Sequence, residues 1–435
     1  MIGAGLLSAQ AARYDLLLKG GHVIDPAEHL DQVMDVAVSG GKIAALRGGI
    51  PPSAARRVVD VSSLYVTPGL IDIHVHIGHG GASLNWFEPS AKPGIPPLGI
   101  TADRALASGV TTVVDAGSAG ATTFLREKEE VMDRSRVRVL AFLNIVAAGM
   151  NSGKEQDVSE MDPRRCADTI GRYRDRLVGV KSAHYWTEKP WDAAHPPWAS
   201  VDRALACGEL ARAPIMVDFW PRPPERSYAD LILKKLRPGD IHTHVFAQQF
   251  PIIGKDGKVN PIMFAAHKRG VIFDVGHGAA SFWFRNAVPA VQQGFVPDSI
   301  STDLHQDNIN GAVVDDITTM SKFLAMGVPL ADVIRRATVN PAREIHRPEL
   351  GTLSPGREAD IAVIELRHGH FGYTDCGNAR MIGNVKLENR LTVRAGKIVY
   401  DPTGLSMPDW RHAPARYYLV PKLGTDPPAL AEPMP

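Results

Sequence analysis

The chain has 435 residues, and its 48 Lys and Arg residues balance 47 Asp and Glu residues to a formal net charge of +1. This length predicts two or three domains of about 150 residues. No basic block appears in the sequence, so it carries no electrostatic sign of nucleic-acid or anionic-membrane binding. Three scattered cysteines exclude a disulfide framework or a thiolate zinc site, and no apolar run approaches the roughly 18 residues that span a bilayer.

The first twelve residues, MIGAGLLSAQAA, are uncharged and largely apolar. Ala9-Gln10-Ala11 has the A-x-A form of a signal-peptidase site, but the positively charged region that opens a signal peptide is missing. Two interpretations stay open. Residues 1–11 are either the remnant of a secretory signal, which makes the protein periplasmic or secreted, or an apolar tail on a cytoplasmic protein.

Short β-like runs stand at both ends of the chain. YDLLLKGGHVID, MDVAVSGGKIAAL and RRVVDV are divided by Gly-Gly pairs and polar turns, and ADIAVIEL and KLENRLTVRAGKIVYD follow near the other end. We expect residues 13–66 and 349–403 to form one small β-sandwich domain from the two termini. Residues 404–435 are rich in proline and are predicted to be a surface tail.

Between residues 67 and 348, short apolar runs alternate with amphipathic stretches. The runs are LIDIHVHI (70–77), VTTVVDA (110–116), VRVLAFLNIV (137–146), LVGVKSA (177–183), PIMVDF (214–219), DIHTHVF (240–246), VIFDVGH (271–277) and DSISTD (298–303). Eight strands buried on both faces and separated by helices predict an α/β protein with a (β/α)8 TIM barrel. Active groups in such barrels lie at the carboxyl ends of the strands.

The first run ends in two histidines. Side chains alternate along a strand with period two, so His74, His76 and Asp72 are all predicted to point into the barrel. Buried imidazoles are costly unless their nitrogens are satisfied. Ligand-type residues end five later runs as well: Lys181, Asp218, His244, His277 and Asp303. Imidazole and carboxylate suit Zn²⁺ or a similar cation, so a divalent metal site is predicted.

Such a site supports hydrolysis, because a bound cation brings the pKa of its water toward about 7 and provides hydroxide at neutral pH. Asp303 is predicted to hold the metal and to act as general base and then general acid. It could instead cap the following helix. The segment LHQDNINGAVVDD argues against a direct cap, because it separates Asp303 from that helix.

Several motifs carry a resemblance to a known family. VTPGLIDIHVHIG and GTLSPGREADIAVIE resemble the amidohydrolase superfamily, and GVKSA, FDVGHGAASFWF and SISTDLH resemble its dihydroorotase-like amidohydrolase/deacetylase group. The similarity runs from about Tyr14 to Gly404. It implies a binuclear centre in which His74, His76 and Asp303 bind one ion. Lys181, carboxylated by CO₂, would bridge to a second ion bound by His244.

The chain departs from this family pattern at the fifth run, where MVD stands in place of MVH, so that Asp218 occupies the position of a histidine. The site then holds one or two Zn²⁺ ions, with Mn²⁺ as the alternative. The alternatives stay open: Asp218 itself coordinates the second ion, or that ion is weaker, absent, or held with the help of His242 or His184. The resemblance places His277 at the substrate end of the pocket, and His184 and His305 are further candidates to line it.

The resemblance therefore implies a metal-dependent hydrolase that cleaves an amide, cyclic amide or ester bond of a small molecule. A deacetylase or esterase acting on acylated small molecules is the alternative within the enzymes. A non-catalytic scaffold that has lost its metal is the alternative outside them. Relatives of this kind also suggest a homo-oligomer, with no nucleic-acid or membrane partner.

Overall fold

The computed structural model describes residues 12–77, 102–150, 153–187, 189–306 and 308–419, so the segment 1–11 that bears on secretion lies outside the described residues. The strands are β1 (Tyr14–Asp25), β2 (Leu30–Ser39), β3 (Lys42–Arg47), β4 (Ala55–Asp60), β5 (Tyr65–Pro68), β6 (Leu70–Val75), β7 (Val110–Gly120), β8 (Arg138–Asn144), β9 (Leu177–Lys181), β10 (Ile215–Val217), β11 (Ile241–His242), β12 (Ile272–Phe273), β13 (Ile361–Thr374), β14 (Arg380–Arg394) and β15 (Lys397–Tyr400).

The helices lie mainly between the strands of the middle region. They are α1 (Phe124–Glu130), α2 (Pro163–Arg172), α3 (Ala199–Ala211), α4 (Tyr228–Asp230, continued by a π-helical turn over Leu231–Lys235), α5 (Pro261–Lys268), α6 (Phe284–Gln292), α7 (Asp316–Ala325), α8 (Leu330–Arg336) and α9 (Val339–Glu344). None of the described helices is long and apolar enough to cross a membrane.

Strands from both ends of the chain share one sheet, which we call the terminal sheet (β1–β5 and β13–β15). Its order is β15-β14-β13-β5-β1-β2-β3, and β4 pairs with β1 beside β5. The two ends meet where β5 runs antiparallel to β13, with Val66 opposite Val363. Alternating apolar residues of both ends fill a common core: Leu16, Leu18, Val36, Val38, Val66, Ile361, Val363, Leu391 and Val393.

The central sheet (β6–β12) is entirely parallel, and each strand pairs with the next along the chain. Strands β6, β7 and β9 are buried along their whole length because both faces of the sheet are covered. One face packs against the helices. The other forms a separate apolar layer with α9: Ile71, Ile73, Val114, Leu140, Phe142, Met216, Ile241, Ala342 and Ile345.

The eighth apolar run touches both edges of the central sheet through isolated bridges instead of a continuous strand. Ser299 makes a parallel bridge with Asp274, which follows β12, and Leu304 makes one with Val75 in β6. The backbone N–H of Asp303 donates to the carbonyl of His74 at 2.6 Å. The parallel sheet is therefore curled, and the strand ends that carry polar residues face a common space.

Candidate metal centre

Polar side chains from five distant stretches meet at the carboxyl ends of the central strands. His74, His244 and Asp303 each offer a ligand atom within 4.8 Å of the others, and all three are buried. Asp303 Oδ1 lies 3.1 Å from His76 Nε2 and 3.5 Å from His74 Nε2. Lys181, the last residue of β9, places its Nζ 3.2 Å from His74 Nε2.

Two of these residues sit on left-handed backbone, with φ of 50° at Asp303 and 61° at His244. Residues with a Cβ rarely adopt this conformation, and such strain concentrates at functional sites. The backbone next to them carries glycines, which leave room for both side chains. A Cβ at Gly278 would stand 2.5 Å from Asp303 Oδ2, and one at Gly276 would stand 2.8 Å from His244 Nδ1.

The imidazole of His74 is held at Nδ1 by a hydroxyl relay. Thr243 Oγ1 donates its proton to Asp274 at 2.7 Å, so it accepts from His74 Nδ1 at 2.8 Å. Because Nδ1 carries the proton, the lone pair of Nε2 faces the centre. Burial, followed by the charge of Lys181, lowers the pKa of His74 to about 3 and keeps the ring neutral.

The other two imidazoles are also held at Nδ1, one by a hydroxyl and one by a backbone carbonyl. Ser118 Oγ donates to Asp115 at 2.7 Å and accepts from His76 Nδ1 at 3.1 Å. His244 Nδ1 donates to the carbonyl of Gly276 at 2.7 Å. All three rings therefore turn Nε2 inward, which is how metal-binding histidines are oriented by their surroundings.

Asp218 follows β10 and belongs to the same cluster. Its Oδ2 lies 2.7 Å from His184 Nε2 and 3.5 Å from His244 Nε2. Burial opposes ionisation, but the adjacent His184 and His244 outweigh it and hold the pKa of Asp218 well below its usual range. The pKa of Asp303 is likewise held low against burial by His74, His305 and His76. Both residues are carboxylates, the form that binds cations.

Two of the residues predicted to contact substrate occupy different settings. His305 lies beside the cluster, its ring centroid 6.2 Å from that of His76 and its Nδ1 2.8 Å from the carbonyl oxygen of Asp303. His277 is fully buried, stacks on Phe282 at 4.6 Å, and receives a hydrogen bond from Lys322 Nζ at 2.6 Å. The ring of His277 therefore faces α7 and not the metal-ligand cluster.

The prediction that Asp72 points inward with the two histidines was wrong. The pairing of β6 with β7 is irregular between Asp72 and Val75, and this bulge breaks the period-two alternation. Asp72 lines a cavity on the helix-covered side with Val75 and Asp316. Its carboxylate accepts from the Thr302 hydroxyl and the His74 N–H, and burial raises its pKa to about 7.

Sequence reasoning missed the groups that orient the ligands. Thr243 and Ser118 lie at strand ends, where a hydroxyl beside a candidate ligand is a usable signal. Glu155, by contrast, comes from the loop between β8 and α2 and contacts His184 Nδ1 at 3.2 Å. No spacing in the sequence links these two residues.

Known proteins with similar sequences provide independent support for a family relationship. The sequence matches the profile of the Amidohydrolase family over residues 284–399. A deacetylase from Brucella anthropi is 32% identical over 394 residues, which cover 89% of this chain and 91% of that protein. A deacetylase from Agrobacterium fabrum is 33% identical over 349 residues, covering 78% of this chain and 80% of that one.

Solved structures show the same likeness. An adenine deaminase matches with a TM-score of 0.77 and 27% identity, covering 89% of this chain and 100% of that chain. A dihydroorotase matches with a TM-score of 0.73 and 29% identity, covering 89% and 99%. The similarity therefore concerns the arrangement of most of the chain and not one isolated motif.

Proposed function

Because the chain belongs to the amidohydrolase family, we propose that it is a metal-dependent hydrolase that cleaves an amide or cyclic amide bond of a small molecule. The observation that carries the proposal is the convergence of three inward-facing imidazole Nε2 atoms with the carboxylate of Asp303. Removal of an acetyl group is one version of this activity, since the relatives from Brucella anthropi and Agrobacterium fabrum are named deacetylases. Opening of a cyclic amide is the other, since a dihydroorotase from Geobacter metallireducens is 43% identical over 451 residues, which cover 89% of this chain and 99% of that protein.

The donor set fits a divalent cation, and we propose Zn²⁺, with Mn²⁺ as the alternative. His74, His76 and Asp303 would hold one ion, and Asp218 and His244 would contribute to a second. Imidazole nitrogen and carboxylate oxygen are the ligands that zinc takes in proteins. When bound, such an ion lowers the pKa of a coordinated water and polarises the substrate carbonyl.

Lys181 would bridge the two ions as a carbamate. Its side chain is 1% exposed, and within the described residues its hydrogen-bond partner is the lone pair of His74 Nε2. A buried ammonium with so little compensation is unfavourable. In the carbamate, the uncharged amine forms a C–N bond to CO₂ and loses a proton to solvent, which leaves an anionic oxygen ligand.

Asp303 would serve as the proton carrier of the reaction. Its carboxylate is ionised, as a general base requires, and Oδ2 lies against Gly278, where a Cβ would stand only 2.5 Å from it. From there it would accept the proton of the attacking water and deliver it to the leaving nitrogen. His305, beside His76, is the imidazole that we propose to contact the substrate.

For the fold, we propose that the central sheet closes as a (β/α)8 barrel over residues 67–348. The bridges of Ser299 and Leu304 to opposite edges of the sheet support closure. We propose the terminal sheet as a β-sandwich from residues 13–66 and 349–403, with a tail over 404–435. Exposed Trp410 and Tyr417, both in the described part of the tail, support a homo-oligomer that would cover them.

The test is the substitution Asp303→Asn, assayed with N-acetyl amino acids, cyclic ureides and acetyl esters in the presence of Zn²⁺. Loss of the general base should lower turnover by about 10²- to 10⁴-fold while the circular dichroism spectrum stays unchanged. Asp256→Asn, at a carboxylate in an exposed turn, is the control and should keep full activity. Undiminished turnover in Asp303→Asn would remove the residue from this role. A wild-type protein without turnover or metal would support the scaffold alternative.

A further inference from the structure

We propose that His184 is a ligand of the second metal ion and that Glu155 orients it for this purpose. The proposal rests on the proposed metal-dependent function and identifies how the chain completes a site in which Asp218 stands in place of the histidine that the family resemblance implies. His184 lies in the loop that follows β9, three residues after Lys181.

The position of His184 supports this role. His184 Nε2 lies 2.7 Å from Asp218 Oδ2, and the same oxygen lies 3.5 Å from His244 Nε2. One carboxylate oxygen thus stands between two imidazole nitrogens that both face it. Two imidazole nitrogens on either side of one carboxylate oxygen are donors of the kind that zinc takes in proteins.

The ring of His184 is also oriented in the same way as the rings of His74, His76 and His244. Each of those rings has Nδ1 on an acceptor and Nε2 toward the centre. His184 does the same, because its Nδ1 faces Glu155 Oε1 at 3.2 Å and Oε2 at 3.3 Å. A carboxylate behind Nδ1 is the usual support of a metal-binding histidine.

The loop itself is fixed around this ring. The backbone N–H of His184 donates to Glu155 Oε1 at 3.3 Å, and Gln156 Nε2 donates to the His184 carbonyl at 2.7 Å. Both His184 and Glu155 are buried. Holding a loop histidine from three directions is consistent with a fixed ligand and not with a side chain that adapts to substrate.

His242, the other histidine considered for this role, points elsewhere. Its Nε2 lies 2.9 Å from the hydroxyl of Tyr228, and its ring stands edge-on to Phe250 with centroids 4.7 Å apart. It belongs to the packing between β11 and α4. It therefore provides a matched control: a buried histidine close to the centre that is not expected to bind metal.

The experiment measures Zn²⁺ bound per chain after metal-free protein is reloaded with Zn²⁺ and bicarbonate, with affinities from competition against a chromophoric chelator. Wild type and His242→Gln should bind two ions. His184→Ala should bind one ion and lose the weaker site, and Glu155→Gln should weaken that site by about 10- to 100-fold. Visible absorption of Co²⁺-loaded protein would show the changed ligand set independently of activity.

Several outcomes would overturn the assignment. They are a wild-type protein with a single ion, or a second ion bound equally tightly by wild type and His184→Ala. If His184→Ala does not fold, the isosteric Glu155→Gln decides, and unchanged affinity there rejects the proposal. A single ion with preserved turnover rejects only the role of His184, whereas a wild type that binds no metal rejects the proposed function as well.

Discussion

Two lysines in the described part of the chain are buried almost completely, and their surroundings differ. Lys322, on α7, is fully buried and donates to His277 Nε2 at 2.6 Å, to the Ala312 carbonyl at 2.7 Å and to the Thr374 carbonyl at 2.9 Å. Lys181, at the end of β9, has His74 Nε2 as its hydrogen-bond partner within the described residues. The ammonium of Lys322 therefore has one acceptor for each of its three protons. An ammonium at Lys181 has one acceptor for three protons among the described residues.

These surroundings indicate a structural role for Lys322 and a chemical role for Lys181. Lys322 links α7 to the end of β13 and to the loop before α7 through hydrogen bonds from its unmodified amine. Lys181, whose protons are unmatched among the proposed metal ligands, is the lysine that we propose to be converted to a carbamate. Burial and poor compensation together therefore mark a functional lysine, and burial by itself does not.

The largest expected effect is that of Lys181→Met. Removal of the proposed bridging ligand should lower turnover by about 10³-fold, because metal sites supply several kcal/mol of transition-state stabilisation. Metal content should fall with it. Native mass spectrometry in bicarbonate should show one added CO₂ on wild type and none on this variant.

Lys322→Met is the matched control for the same measurement. It should retain both the added CO₂ and the bound metal. A CO₂ adduct that survives in Lys181→Met but disappears in Lys322→Met would reverse the roles assigned to the two lysines.

Lys322→Met should instead reduce stability by about 3 kcal/mol, since three buried acceptors lose their donor. The loss should depend on pH. Burial lowers the pKa of Lys322 from 10.5 to about 7, so the folded chain releases this proton before the unfolded chain does. The contribution of Lys322 to stability therefore rises as the pH increases from about 7 to about 10. Urea unfolding of both proteins across this range measures it, and a constant difference would contradict the assignment.

The smallest effect is expected at Glu127, a buried ionisable group outside the metal centre. Neither carboxylate oxygen has a hydrogen-bond partner among the described residues, and burial, followed by the charge of Asp115, raises its pKa well above 4.5. Wild type should lose this part of its stability as the pH rises above that value. Glu127→Gln should then be more stable by on the order of 1 kcal/mol at neutral pH. Equal melting temperatures at neutral pH would show that the carboxyl is compensated.

Much of the site could be predicted from the sequence because strand ends are local features. His74, Lys181, His244 and Asp303 each close an apolar run, and parallel strands bring such ends to one edge of a sheet. The exchange of histidine for Asp218 was also visible. Its consequence was not, because it depends on the loop that carries His184.

The features that the sequence could not reveal depend on irregular backbone or on contacts between distant segments. The bulge after Asp72 turns this side chain to the opposite face from the one that simple alternation predicts. No residue type in this stretch indicates a bulge. Glu155 and Lys322 meet their partners only through tertiary packing. Such contacts are unreadable from periodicity, which describes one element at a time.

The antiparallel pairing of β5 with β13 has a consequence for how the chain is made. During synthesis, β5 leaves the ribosome long before Ile361, so its neighbour does not yet exist while the whole parallel sheet is emerging. Pairing of segments so distant is slow, because a long loop must close first. The terminal sheet is thus completed last, and any nascent chain released early exposes an unpaired strand edge that quality-control proteases and chaperones can recognise.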